Sequence, residues 1–361
     1  MTHRRGLLFM LFLLLFGQIF RIVISVAFFT FYSPLREMGI DLNAVFESPW
    51  MIIFVQIMTL LVPLAIWLGI LRENVNQHLP CIRLGKLNIL LIVGISLMLI
   101  PAMNVISGIT TFFFPNEIGE IMQGMVQNHT LSLLLLMLLA VAVTPAICEE
   151  VVFRGYLQST YKNKSFWTMA LMNGLFFAVV HSPQQFFYCF VMGIIFSYMV
   201  HTTRSIRAAV ISHFVLNASS ILLLWVATWI LEVGSRFVEY YTEYQPEIEM
   251  VYESNELLDF IMALMFWGVI AIFSTTAAAF MLREFSAHNK KRIVAYEAKL
   301  AEEASIIAQT TVIEPTTNIS DGTIAAVTPA EIPKERKIND TILDAALVLV
   351  IVTLYVILAF A

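Results

Sequence analysis

The chain has 361 residues, 59% of them hydrophobic and 13% charged, against about 25% charged in an average soluble domain; its mean hydropathy is +0.81. Water alone cannot solvate such a chain, which reads as an integral membrane protein. The net charge of -5 names no partner, and without a basic groove or aromatic-interleaved basic patch nucleic-acid binding has no support.

Apolar runs of spanning length fall at about 6 to 32, 49 to 71, 87 to 114, 131 to 160, 165 to 181, 184 to 202, 206 to 231, 257 to 282 and 342 to 361. They predict an all-α, polytopic membrane helix bundle of about eight to nine transmembrane helices. The first run begins like a signal peptide, with His3, Arg4 and Arg5 ahead of an apolar stretch. It continues past Arg21 to about Tyr32, long enough to span the bilayer, and is read as a retained helix. In the fourth run Thr144 and Pro145 predict a broken helix just ahead of Glu149 and Glu150, because proline removes a backbone donor and clashes with the preceding turn. Irregular backbone at membrane depth implies a surrounding cavity. Residues 283–340 read as a charged, Ala-rich cytoplasmic helix followed by a flexible linker rich in Thr and Pro.

The expected division is residues 1–129 as N-terminal membrane helices, 130–231 as the core that carries the chemistry, 232–282 as an outer acidic loop and a further helix, 283–340 as the cytoplasmic insertion and 341–361 as a last helix. Basic residues gather in alternate connections: Arg4 and Arg5; Arg72, Arg83 and Lys86; Lys162 and Lys164; Arg204 and Arg207; Arg283 and Lys290 to Arg292. The loops between them, including Glu117 to Glu120 and Glu232 to Glu256, are acidic or nearly uncharged. The positive-inside rule therefore predicts a multi-pass cell-membrane protein with a cytoplasmic N-terminus, and a cavity at Glu149 open to that side.

The run TPAICEEVVFRGYL places Glu149, Glu150 and Arg154 inside an apolar segment, where each charge costs roughly 2.5–3.5 kcal/mol. Glu150 and Arg154, four apart, share a helix face and can pair. Glu149, rotated about 100° away, is left as a candidate general base acting on water. Phe177 and His181 stand four apart in the next run, at a depth that brings His181 to Glu149. His213 and Asn217 form a third such pair, suited to donate hydrogen bonds to an oxyanion, though counting from Arg207 puts His213 shallower than His181. The bland alternatives are a buried network of the three charges that fixes helix register, a helix-to-helix hydrogen bond at His181, and packing polar residues at His213 and Asn217. Cys81, Cys148 and Cys189 lack paired spacing and suggest neither a disulfide framework nor a CxxC metal site. A Cys148 nucleophile is disfavoured, since neighbouring carboxylates in low dielectric oppose a thiolate.

In this order, on successive membrane helices, Glu149-Glu150-x-x-x-Arg154, Phe177-x-x-x-His181 and His213-x-x-x-Asn217 resemble the motifs of the CPBP family of intramembrane proteases, which includes type II CAAX prenyl endopeptidases and bacteriocin-processing enzymes. The likeness covers about residues 130 to 220. It implies an endopeptidase in which Glu149 and His181 activate water, His213 and Asn217 form the oxyanion hole, and Glu150 and Arg154 organise the site. It also implies a membrane-associated protein or peptide substrate, prenylated or not, in a lipid bilayer. The cofactor is either none or a divalent metal such as zinc. Glu149, His181 and His213 could supply three ligands and leave an open position, but no HExxH spacing pre-organises them, and metal-free catalysis is preferred. Two other classes compete: a non-catalytic scaffold or bacteriocin-immunity protein of the same fold, and a proton-relaying transporter. A degenerate scaffold could lose any of the six polar residues, and a transporter would more often spread ionisable groups over symmetric halves.

Overall fold

The computed structural model describes residues 2–114, 129–244, 256–311 and 344–356. The acidic stretch Glu117 to Glu120, residues 245–255 of the expected outer loop and the linker from residue 312 lie outside this range. The described chain is helical, its only strand-like pairing being an isolated bridge between Cys81 and Ser205. Among the described residues nine longer helices form the bundle, beside a five-residue helix at Leu42–Phe46: α1 (Thr2–Glu37), α2 (Pro49–Leu71), α3 (Lys86–Phe113), α4 (Leu131–Thr160), α5 (Phe166–Ala178), α6 (Pro183–Thr203), α7 (Ile206–Tyr244), α8 (Glu256–Thr311) and α9 (Asp344–Val356). Seven are long and apolar enough to cross a membrane, whereas α5 and α9 are shorter. Their outward residues are large and apolar, as in Phe29, Ile70, Trp167 and Phe273. This is a polytopic membrane bundle, in which a helix satisfies its own backbone where no water can.

Hydroxyl caps start several helices. Ser48 accepts from Met51 N with Pro49 in the first turn, Thr130 accepts from Leu133 N, and Ser165 accepts from Thr168 N. Arg72 and Arg204 close α2 and α6 in the left-handed conformation. Helix α8 continues without interruption through the charged segment to Thr311, so the expected separate cytoplasmic helix is an extension of the membrane helix. The extension is held near its start by a buried, reciprocal Asn88–Asn289 pair (3.1 and 2.8 Å) between α3 and α8. The start of α9 is tied to that of α1, where Asp344 accepts from His3 (2.7 Å) and Arg4 (3.0 Å).

The break expected at Pro145 does not occur. Helix α4 runs on, because a π-turn at Leu138–Val143 absorbs the proline: Thr144 N and Thr144 Oγ1 both donate to Leu139 O. The carbonyl that Pro145 cannot serve, Val141 O, accepts instead from Asn217 Nδ2 at 2.9 Å. A second π-turn, Val151–Leu157, follows Glu150. Helix α2 repeats the device with a π-turn at Ile57–Leu61 ahead of Pro63.

Two features bring the motif helices to one depth. The α6–α7 turn is sunk beneath the α2–α3 connection, with Ile206 N donating to Pro80 O (2.7 Å), Ile82 N to Arg204 O (3.1 Å), and Thr203 and Ser205 fully buried. This answers the depth mismatch read from the sequence, since α7 begins inside the bundle and His213 lies deeper than counting from Arg207 suggests. Helices α5 and α6 also pack with their backbones in contact at Gly174 and Gly193. A β-carbon on Gly193 would come within 2.6 Å of Gly174 Cα, and one on Gly174 within 2.9 Å of Phe190 O. Gly193→Ala is therefore expected to destabilise the protein by about 1–3 kcal/mol, measured by denaturant unfolding in mixed micelles. An unchanged midpoint would show that the two helices can separate freely.

Candidate active site

All six motif residues converge at mid-depth. Glu149 lies 11 residues along α4 from Thr160, about 16 Å from the end bearing the basic turns. Glu150, Arg154 and His213 are 0%, 1% and 5% exposed. Glu150 Oε1 accepts from Arg154 Nη1 at 3.1 Å and from His213 Nδ1 at 2.8 Å. Arg154 Nη2 reaches Gly193 O at 3.4 Å, an approach that the α5–α6 contact permits. The guanidinium lies 4.3 Å from the Phe177 ring centroid and 5.0 Å from that of Phe196, so aromatic faces replace part of its lost hydration. The His213 ring stacks on Phe196 with centroids 5.2 Å apart.

Glu149 points away from this network. Its Oε1 accepts from Gln56 Nε2 of α2, while Oε2 has no hydrogen-bond partner and faces His181 Nε2 and His213 Nε2, each 3.8 Å away and beyond direct hydrogen-bond reach. His181 Nδ1 lies 2.6 Å from Phe177 O, a partner that assigns the proton to Nδ1 and leaves the Nε2 lone pair turned towards Glu149. Asn217 lies one turn after His213 on α7, with one of its two Nδ2 hydrogens used on Val141 O. The sequence passed over Gln56, whose one signal was a polar residue inside the second apolar run.

Two cavities meet at Glu149, Gln56 and His181. One, of about 750 Å³, is walled by residues that include Gln18, Arg21, Thr59, Ser182 and Tyr355. The other, of about 510 Å³, is mainly apolar, with Met51, Val55, Phe177, Tyr188, Met192 and Phe196 among its walls. The walls come from the middle of α1, the first half of α2, the end of α3, the α5–α6 turn and the end of α9. Most of these lie away from the basic turns. The expected opening towards the basic face is therefore not where most of these walls lie, because α5 is only 13 residues long and its turn into α6 falls beside Glu149. Glu150, expected to be reachable, is sealed behind Glu149.

Among the described residues, no group of three His, Cys, Asp or Glu side chains is gathered to hold a metal ion. Glu149, His181 and His213 approach one another without closing into a ligand set, so no chemical step is assigned to a metal.

Residues 131–219 match the family model for type II CAAX prenyl endopeptidase, Rce1-like. No curated protein and no solved structure matches the chain. The matched segment, from the start of α4 to the second turn after His213, holds all three motifs, and the match supports their resemblance to the CPBP family of intramembrane proteases. The segment similar to CAAX-type peptidases thus lies within a multi-pass membrane bundle.

The Glu150 cluster is charge-balanced and dry, so removing one partner leaves a buried charge. Arg154→Met is expected to cost about 3–5 kcal/mol of stability, with part recovered by adding Glu150→Gln. Micelle unfolding of the single and double variants checks this, and equal stability of wild type and single variant would contradict it.

Proposed function

We propose that the protein is an intramembrane endopeptidase acting on membrane-associated protein or peptide substrates. The observation that carries this reading is the unpartnered Glu149 Oε2, set between two imidazole nitrogens where two cavities meet. A water molecule between Glu149 Oε2 and His181 Nε2 meets two acceptors for its protons, which directs its lone pair to a substrate carbonyl. As that oxygen attacks the carbonyl carbon, Glu149 takes the proton. The carbonyl oxygen becomes an oxyanion facing a proton on His213 Nε2 and the second Nδ2 hydrogen of Asn217. Collapse of the tetrahedral intermediate breaks the C–N bond, and Glu149 returns the proton to the leaving amine.

Glu150 and Arg154 act behind this site. Glu150 holds His213 Nδ1, which fixes the ring with Nε2 towards Glu149, and Arg154 neutralises Glu150. The apolar cavity suits apolar side chains or a lipid group of the substrate.

Purified protein in detergent is expected to cleave a membrane-anchored peptide, and Glu149→Ala to lower turnover by roughly 10²–10⁴-fold or more with an unchanged unfolding midpoint. Wild-type turnover in a folded Glu149→Ala variant would refute the reading.

The proposed orientation places the basic turns and the N-terminus on the cytoplasmic side of the cell membrane, so the cavities open into the outer half of the bilayer. In a cysteine-free background, Ser182→Cys should react with an impermeant thiol reagent added outside and resist one offered only to the cytoplasmic face. The opposite pattern would invert the topology.

A further inference from the structure

The family-matched segment ends at residue 219 and begins at residue 131, yet among the described residues the hydrogen bond to the Glu149 carboxylate comes from residue 56. Gln56 is the last residue of the α-helical part of α2 before the π-turn at Ile57–Leu61, and it lines both cavities. We infer that Gln56 is a positioning residue for the base: its Nε2–H holds Glu149 Oε1 and thereby aims Oε2 at the point between His181 and His213.

The argument starts from the freedom of a glutamate. A Glu side chain has three rotatable torsions, the last of them broad, and a carboxylate that faces a cavity with no partner can occupy several of them. Oε2 has no hydrogen bond, so Oε1 is the one point at which the headgroup is fixed. An amide donor serves this purpose better than a cation, since Lys or Arg at the same place would form an ion pair with the carboxylate and compete with the proton it must accept.

The two helices are built alike at this level. In α2 a π-turn precedes Pro63, and in α4 a π-turn precedes Pro145. Each π-turn inserts one residue and so turns the helix face by about 100° relative to an uninterrupted helix. The π-turn of each helix also lies against the α-helical part of the other. Gln56 and Glu149 meet across this paired distortion. The N-terminal helices, outside the family-matched segment, therefore supply part of the catalytic apparatus.

This inference rests on the endopeptidase reading, and the experiment separates the two. Turnover and KM are measured on a membrane-anchored peptide for Gln56→Glu, which keeps the shape and replaces the donor by an acceptor, and for Gln56→Met, which keeps the length and removes both. Both are expected to lower kcat by about 10–100-fold with KM changed less than about two-fold, as for other groups that orient a catalytic side chain. Gln56→His, which restores an N–H donor, should recover part of the loss. Unfolding midpoints are recorded alongside, because a packing role would lower stability and spare kcat per folded molecule. Full kcat in folded Gln56→Glu, or equal loss in Gln56→His and Gln56→Met, would overturn the inference. If instead Glu149→Ala keeps wild-type turnover, the endopeptidase reading itself has failed.

Discussion

The Glu150 carboxylate, fully buried and shared by Arg154 and His213, is the interaction on which the rest of the site depends. A carboxylate at this depth persists only when its charge is matched. Arg154 matches it from the next turn of α4, and His213 arrives from α7. The same contact fixes which imidazole nitrogen is left over, so His213 Nε2 faces Glu149. Burial of Glu150 therefore sets the geometry of groups that it does not itself use in the chemistry.

The surrounding architecture serves that burial. Arg154 needs a carbonyl and aromatic faces to replace water, and it finds Gly193 O, Phe177 and Phe196 on α5 and α6. These come close because Gly174 and Gly193 let two backbones touch, as small residues do between membrane helices. His213 reaches its depth because the α6–α7 turn is buried under the α2–α3 connection. Asn217 adds a structural duty, since it satisfies the carbonyl orphaned by Pro145 and so ties α7 to the distortion that presents Glu149.

Membrane character, the nine apolar runs and the three four-residue pairs were legible in the sequence because each depends on local order alone. Hydrophobic length fixes which segments enter the bilayer, and spacing on a helix fixes which side chains share a face. Charges placed inside such segments marked Glu149, Glu150 and Arg154 as exceptional for the same reason. The fate of Pro145 was not legible. A proline in a helix can be met by a break, a kink or a π-turn, and the choice rests on whether a donor from elsewhere serves the freed carbonyl; Asn217, 76 residues on, is that donor.

Sequence alone thus determined the solvent of this protein, the order of its helices and the identity of six of the residues that gather at mid-depth. Tertiary structure decided what those residues face. Gln56 carries no motif and lies 93 positions from Glu149, so only the packing of α2 against α4 reveals it. The direction in which the cavities open follows from the shortness of α5 and the depth of its turn, which the charge pattern of the loops does not encode. Local spacing is a property of one helix, whereas partnership and access are properties of several helices at once, and that difference sets the boundary between the two.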